Sequence, residues 1–213
     1  MQNTDVFFID EAPLLHISPV FPGIGVASLS RAMDPVLLRK DNYQAILNVS
    51  EMNFAEEVRG IVKTYRWIQL DDGCDCNPER FIEAVDTLHE LREGNLNTVV
   101  NCYAGMSRSA SVVAAYLVRH RREELLATWE QNRNRPLPGL FMFQHPYLAD
   151  PGAGADEGLY PRILEDPVFQ MIATAFRVLA MNRSCVYIRP GMWRELLPEI
   201  RSYLTDNGHG TAL

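Results

Sequence analysis

Residues 97–111, Asn-Thr-Val-Val-Asn-Cys-Tyr-Ala-Gly-Met-Ser-Arg-Ser-Ala-Ser, restrict the fold more than any other stretch of the chain. Thr98, Val99 and Val100 are β-branched and suit the end of a buried strand. From Ser107 onward, Ala110, Val112, Val113, Ala114, Ala115, Tyr116, Leu117 and Val118 predict a mostly buried helix. Between them runs a loop of small residues from Cys102 to Arg108. A strand feeding such a loop into a helix gathers backbone N–H groups at the positive end of the helix dipole. That is an anion site, and phosphate is the usual anion. Gly105 lets backbone approach closely, and the planar fork of Arg108 can grip two phosphate oxygens. Cys102 stands at the mouth of the loop, where positive surroundings favour a thiolate. A nucleophilic sulfur facing a bound phosphate suggests phosphoryl transfer to cysteine.

The rest of the chain supplies a scaffold for such a loop. Residues 14–27, punctuated by Pro19, Pro22, Gly23 and Gly25, predict two short strands joined by a tight turn. Ser30 to Lys40 reads as a helix, with Asp34 a candidate cap and Pro35 near its first turn. Strands are expected at 44–49 and 65–70, around a helix at 54–63. Asp71-Asp72-Gly73 closes the second strand, and Asn77-Pro78 starts a helix that runs to Arg92 and stops at Gly94-Asn95. This alternation predicts an α/β fold with a mainly parallel central sheet flanked by helices. The Cys102 loop then lies at the carboxyl end of its strand, where open α/β sheets bind ligands. Helices follow at 123–134 and 140–148, with the basic run Arg119-His120-Arg121-Arg122 read as a helix end.

The run Cys-Tyr-Ala-Gly-Met-Ser-Arg-Ser resembles the signature of the cysteine-dependent dual-specificity protein phosphatases. The likeness rests on Cys102, Ala104, Gly105, Ser107, Arg108 and Ser109, with further matches at Pro22-Gly23 through Ala27-Ser28 and at Ile46 to Val49. It spans about residues 14–148 and implies the protein tyrosine phosphatase-like fold. It also implies hydrolysis of phosphotyrosine and phosphoserine/threonine through a phosphocysteine, on a phosphorylated protein substrate. Cys102 is then the nucleophile. Tyr103, Ala104, Gly105, Met106, Ser107 and Arg108 hold the phosphate through their backbone N–H groups, joined by the Arg108 side chain. Ser109 assists breakdown of the intermediate. Asp72 is preferred as the acid, on the turn after the strand carrying Tyr65, Ile68 and Leu70, with Asp71 its rival. Neither metal nor cofactor is expected, because Arg108 and the helix N-terminus supply positive charge. One departure is Asn101, where the family usually has His; Asn exchanges hydrogen bonds but carries no charge. Two alternatives stay open: a phosphatase of a phosphoinositide, a glycan or an RNA 5′ end, and a phosphopeptide-binding pseudophosphatase.

The resulting organisation is an N-terminal arm (1–13), a catalytic domain (14–148), a Gly- and Ala-rich linker (149–158) and a helical extension (159–213). The extension predicts helices at 167–182 and 190–204 around a short strand at 185–188. Their apolar stripes suit packing on the catalytic domain, or on a second copy of the chain as a homodimer. The formal net charge of −7 argues against nucleic acid or an acidic membrane as the main partner. No apolar run reaches the length of a membrane span, and no signal-peptide pattern opens the chain. Cys74, Cys76, Cys102 and Cys185 make no disulfide framework, so a cytoplasmic or nuclear location is expected. Cys74 and Cys76 are read as incidental thiols, in preference to partners in a redox disulfide with Cys102.

Overall fold

The computed structural model describes residues 15–72, 76–135, 166–188 and 190–206. Among the described residues, five strands build one sheet: β1 (Ser18–Phe21), β2 (Ile24–Ser28), β3 (Ala45–Asn48), β4 (Thr64–Trp67) and β5 (Thr98–Cys102). Their spatial order is β1-β2-β5-β3-β4. Among the described strands only the β1–β2 pair is antiparallel; β2, β5, β3 and β4 run parallel. Central β5 is buried at all five positions, which explains its β-branched run. Ser28 stands opposite Cys102, and Asn48 stands opposite Asn101. The carboxyl ends of β2, β3 and β5 therefore finish side by side at the catalytic cysteine candidate.

Local chemistry accounts for the helices. The expected helix at 30–40 is two helices, α1 (Leu29–Ala32) and α2 (Pro35–Lys40). Pro35 disfavours helical backbone in the residue before it. Asp34 is accordingly extended and caps α2, accepting from the N–H groups of Val36 and Leu37 at 2.9 and 3.3 Å. The helix expected at 54–63 is only α3 (Glu56–Arg59), because Lys63 and Thr64 already donate to the Gln44 carbonyl as the chain returns to the sheet. The strand expected to reach Leu70 ends at Trp67. Ile68 and Leu70 still donate to Asn48 and Val49, and so carry the chain on toward Asp72. Asn77 caps α4 (Pro78–Glu93), accepting from the Arg80 N–H at 3.0 Å. Helix α5 (Arg108–His120) is buried from Arg108 through Val118, and α6 (Arg122–Asn132) follows it.

After α6 the described chain resumes with α7 (Pro167–Ala180) and α8 (Pro190–Thr205). Phe169, Ile172, Phe176 and Leu179 of α7, and Trp193, Leu196 and Ile200 of α8, are buried in the same cluster as Val100, Val113 and Phe81. Phe81 of α4 meets Trp193 of α8 edge-on at 5.7 Å. The C-terminal helices thus close the core over α5 and do not stand apart from it. Residues 185–188 form no strand; the segment turns back toward the loop after β5, where the Tyr187 N–H donates to the Met106 carbonyl at 3.1 Å. The arm at 1–13, the expected helix at 140–148 and the linker at 149–158 lie outside the described residues.

At the far end of α5, Arg119 donates to the carbonyls of Tyr203 and Asp206 and lies over the Tyr203 ring, tying α8 to α5. Beside it, His120 stacks on His89 of α4, with ring centroids 3.9 Å apart. Burial, then the neighbouring His89 and Arg119, push the His120 pKa down to about 4. Between pH 6.5 and 4 the unfolded chain takes up a proton there that the folded chain refuses, so stability falls as pH falls through that window. Urea unfolding of the wild-type protein is expected to lose roughly 1–3 kcal/mol more between pH 7 and pH 4 than His120→Gln does. Equal losses in the two proteins would contradict this assignment.

Candidate active site

Strand β5 delivers Cys102 to the top of the sheet, and α5 begins six residues later at Arg108. The intervening loop leans on the end of β2. The Leu29 N–H donates to the Tyr103 carbonyl at 3.0 Å. Gly105 has φ +69°, and a Cβ there would stand 2.3 Å from the Ala27 carbonyl oxygen. No other residue type fits that position without displacing backbone. The Cys102 Sγ is nearly buried; it accepts from the Gly105 N–H at 3.2 Å and lies 3.4 Å from the Ser109 Oγ.

Arg108 is 4% exposed. Its Nη1 donates to Glu51 Oε2 at 2.6 Å and to the Leu70 carbonyl at 3.1 Å. Its Nη2 lies 3.6 Å from Asp72 Oδ2. The Nε–H is buried and has no hydrogen-bond partner among the described residues. Burial alone would lower the Arg108 pKa; the Glu51 hydrogen bond and the charges of Cys102, Asp72 and Glu51 outweigh it and raise it. Glu51 is held below its ordinary carboxylate value, first by its own backbone N–H and then, against burial, by Arg108.

Neutral hydrogen bonds fix the segment that carries Glu51. Asn48 Oδ1 accepts from the Ser50 N–H, the Ser50 hydroxyl and the Asn101 amide at 3.0, 2.7 and 3.0 Å. Asn48 Nδ2 donates to the Met52 carbonyl and to the Tyr65 hydroxyl. Asn101 is fully buried, so the residue where the family usually has His belongs to an uncharged network that ends beside Glu51. Below the loop, the Arg183 side chain is also fully buried. Its Nε, Nη2 and Nη1 donate to Gly105 O, Ala104 O and Ser18 Oγ at 2.7, 3.3 and 3.0 Å.

Of the residues expected from sequence, Cys102, Arg108, Ser109 and the loop 103–107 meet here, with Asp72 at the edge. Asp71 carries a different influence: after burial, its charge is the next cause that pushes the Cys76 thiol up to about 11. Cys74 lies outside the described residues. Among the described residues, no cluster of three or more His, Cys, Asp or Glu is grouped to hold a metal ion. Sequence reasoning missed Glu51 and Arg183, which pair with the loop across 57 and 78 positions and leave no local spacing to detect.

Residues 26–144 match the dual specificity phosphatase catalytic domain. Human dual specificity protein phosphatase 21 is 33% identical over 134 residues, covering 61% of this chain and 68% of that protein. A putative tyrosine phosphatase, 123R, from Invertebrate iridescent virus 6 is 33% identical over 91 residues, or 41% of this chain. The chain spans 61% of that viral protein and 30% of rat dual specificity protein phosphatase 5. The crystal structure of human DUSP28 shares the fold, with a TM-score of 0.56 at 17% identity, covering 88% of this chain and 94% of that one.

The geometry makes Glu51 the partner that orients Arg108. A hydrogen bond to a charged group is worth about 1.5–3 kcal/mol. Glu51→Gln is therefore expected to bind tungstate, an oxyanion shaped like phosphate, roughly ten- to hundredfold more weakly by calorimetry. Unchanged affinity would show that Arg108 needs no such anchor.

Proposed function

Because the chain belongs to the dual specificity phosphatase family, we propose that it removes phosphate from tyrosine and from serine or threonine of protein substrates, through a phosphocysteine at Cys102. The observation that carries this reading is the division of labour on Arg108. Its Nη1 is occupied by Glu51 and Leu70, while the buried Nε–H has no partner among the described residues. Buried donors are normally satisfied, and an anion between Nε, Nη2 and the loop amides would satisfy this one in bidentate fashion.

In the first step the Cys102 thiolate attacks phosphorus in line with the ester oxygen. The sulfur–phosphorus bond forms as the oxygen–phosphorus bond breaks. Arg108 and the amides of residues 103–108 meet the charge on the three equatorial oxygens. Asp72, placed at Nη2 of Arg108, gives its proton to the departing oxygen. In the second step Asp72 takes a proton from water as the water attacks phosphorus. Ser109, at 3.4 Å from the sulfur, donates a hydrogen bond to the sulfur as the thiolate leaves.

The uncharged loop side chains Tyr103, Ala104 and Met106 favour this reading over a lipid phosphate, and the net charge of −7 favours it over RNA. Free thiols at Cys76 and Cys102 suit a reducing compartment, cytoplasm or nucleus. Turnover of para-nitrophenyl phosphate is expected and should vanish in Cys102→Ser; turnover that survives would overturn the assignment. On phosphopeptides, Asp72→Asn should abolish the fall in kcat at high pH and lower kcat about a hundredfold, with Asp71→Asn close to wild type. The reverse pattern would move the acid to Asp71. A panel of phosphopeptides beside phosphoinositides tests the substrate class; preference for the lipids would contradict it.

A further inference from the structure

We propose that Arg183 is a positioning residue of the catalytic loop, contributed by the segment after α7 and acting through the loop carbonyls. The inference rests on the function proposed for that loop and adds a component to it. A phosphate cradle works only when its peptide N–H groups point inward, which requires its carbonyls to point outward. Here three successive carbonyls are each taken from outside. Arg183 donates to Ala104 O and Gly105 O, and the Tyr187 N–H donates to Met106 O.

Arg183 is well placed to enforce this. Its flat guanidinium fixes two neighbouring peptide planes at once, which a single ammonium does not do. Gly105 is the loop residue freest to flip. A Cβ at Gly105 would meet the Ala27 carbonyl at 2.3 Å and Arg183 Nη2 at 2.7 Å, so the glycine is wedged between β2 and this guanidinium. The anchor itself is firm. The Arg183 N–H donates to Leu179 O at the end of α7, and the third guanidinium arm holds Ser18 of β1. Helix α7 is seated in the core through Ile172 and Phe176. Burying a guanidinium is costly unless acceptors are waiting, and burial does lower the Arg183 pKa. The acceptors it meets include the loop itself. The rear wall of the cradle therefore comes from a residue 78 positions after Gly105, beyond the segment that matches the family.

The test uses the full chain carrying Arg183→Lys, Arg183→Met or the packing control Val186→Ala. Tungstate affinity, phosphopeptide kcat and KM, and Tm are measured for each. Arg183→Lys is expected to remain folded, to bind tungstate about tenfold more weakly and to lose kcat with little change in KM. Arg183→Met should lose more. Val186→Ala should lower Tm while keeping kcat. A folded Arg183→Lys equal to wild type in tungstate binding and turnover would overturn the proposal. So would losses in Val186→Ala that match those of Arg183→Lys at equal Tm. If neither Arg183 variant folds, Ser18→Ala decides, because it frees one arm of the guanidinium: weaker tungstate binding supports the proposal, unchanged binding refutes it. A wild-type protein that binds tungstate without turnover would refute the phosphatase reading alone, since the binding ratios still report on Arg183.

Discussion

Arg108 holds its charge almost entirely out of water, and the pairing with Glu51 at 2.6 Å makes that tolerable. A buried guanidinium left alone would destabilise the fold by several kcal/mol or so. With Glu51 and the Leu70 carbonyl on Nη1, the group is held in one orientation, with Asp72 near Nη2 and the Nε–H without a partner among the described residues. The hydrogen bonds behind Glu51 serve that orientation. The Asn48, Ser50 and Asn101 network sets the backbone that carries Glu51, and Asn48 and Asn101 are neighbours because β3 and β5 pair in that register. Asn101 joins that network without adding charge to it.

A second guanidinium, that of Arg183, holds the loop's carbonyls at Ala104 and Gly105. The loop is thus fixed from two directions, by β2 and by the chain following α7. This gives the C-terminal helices a role besides core closure. Phe176, Trp193 and Leu196 bury apolar surface against α4 and α5, and the same packing delivers Arg183 and Tyr187 to the site.

Much of this was legible in the sequence where the determinants are local. The β-branched run of β5, the small-residue loop and the apolar α5 specify strand, turn and helix by nearest-neighbour preferences. Asp34 and Asn77 cap the helices that their side chains predict. What escaped depends on distant partners or on competition. Pro35 acted as a break between two helices because its steric effect on Asp34 outweighs the helical pattern around it. Residues 185–188 have strand-like composition, yet their backbone is drawn to the loop at Met106 instead of a sheet edge. Glu51 and Arg183 reach the site across 57 and 78 positions, so no local spacing marks them. Only the folded topology brings either to the loop.

The proposed reaction turns on a bond between the Cys102 sulfur and phosphorus. Rapid-quench labelling with a radiolabelled phosphotyrosine peptide tests it most directly, in the Ser109→Ala protein, where breakdown of the intermediate should be slowed. Label is expected on Cys102, accumulating toward one phosphate per chain and absent in Cys102→Ser. Turnover of the peptide with no labelled protein, or label that persists in Cys102→Ser, would contradict it.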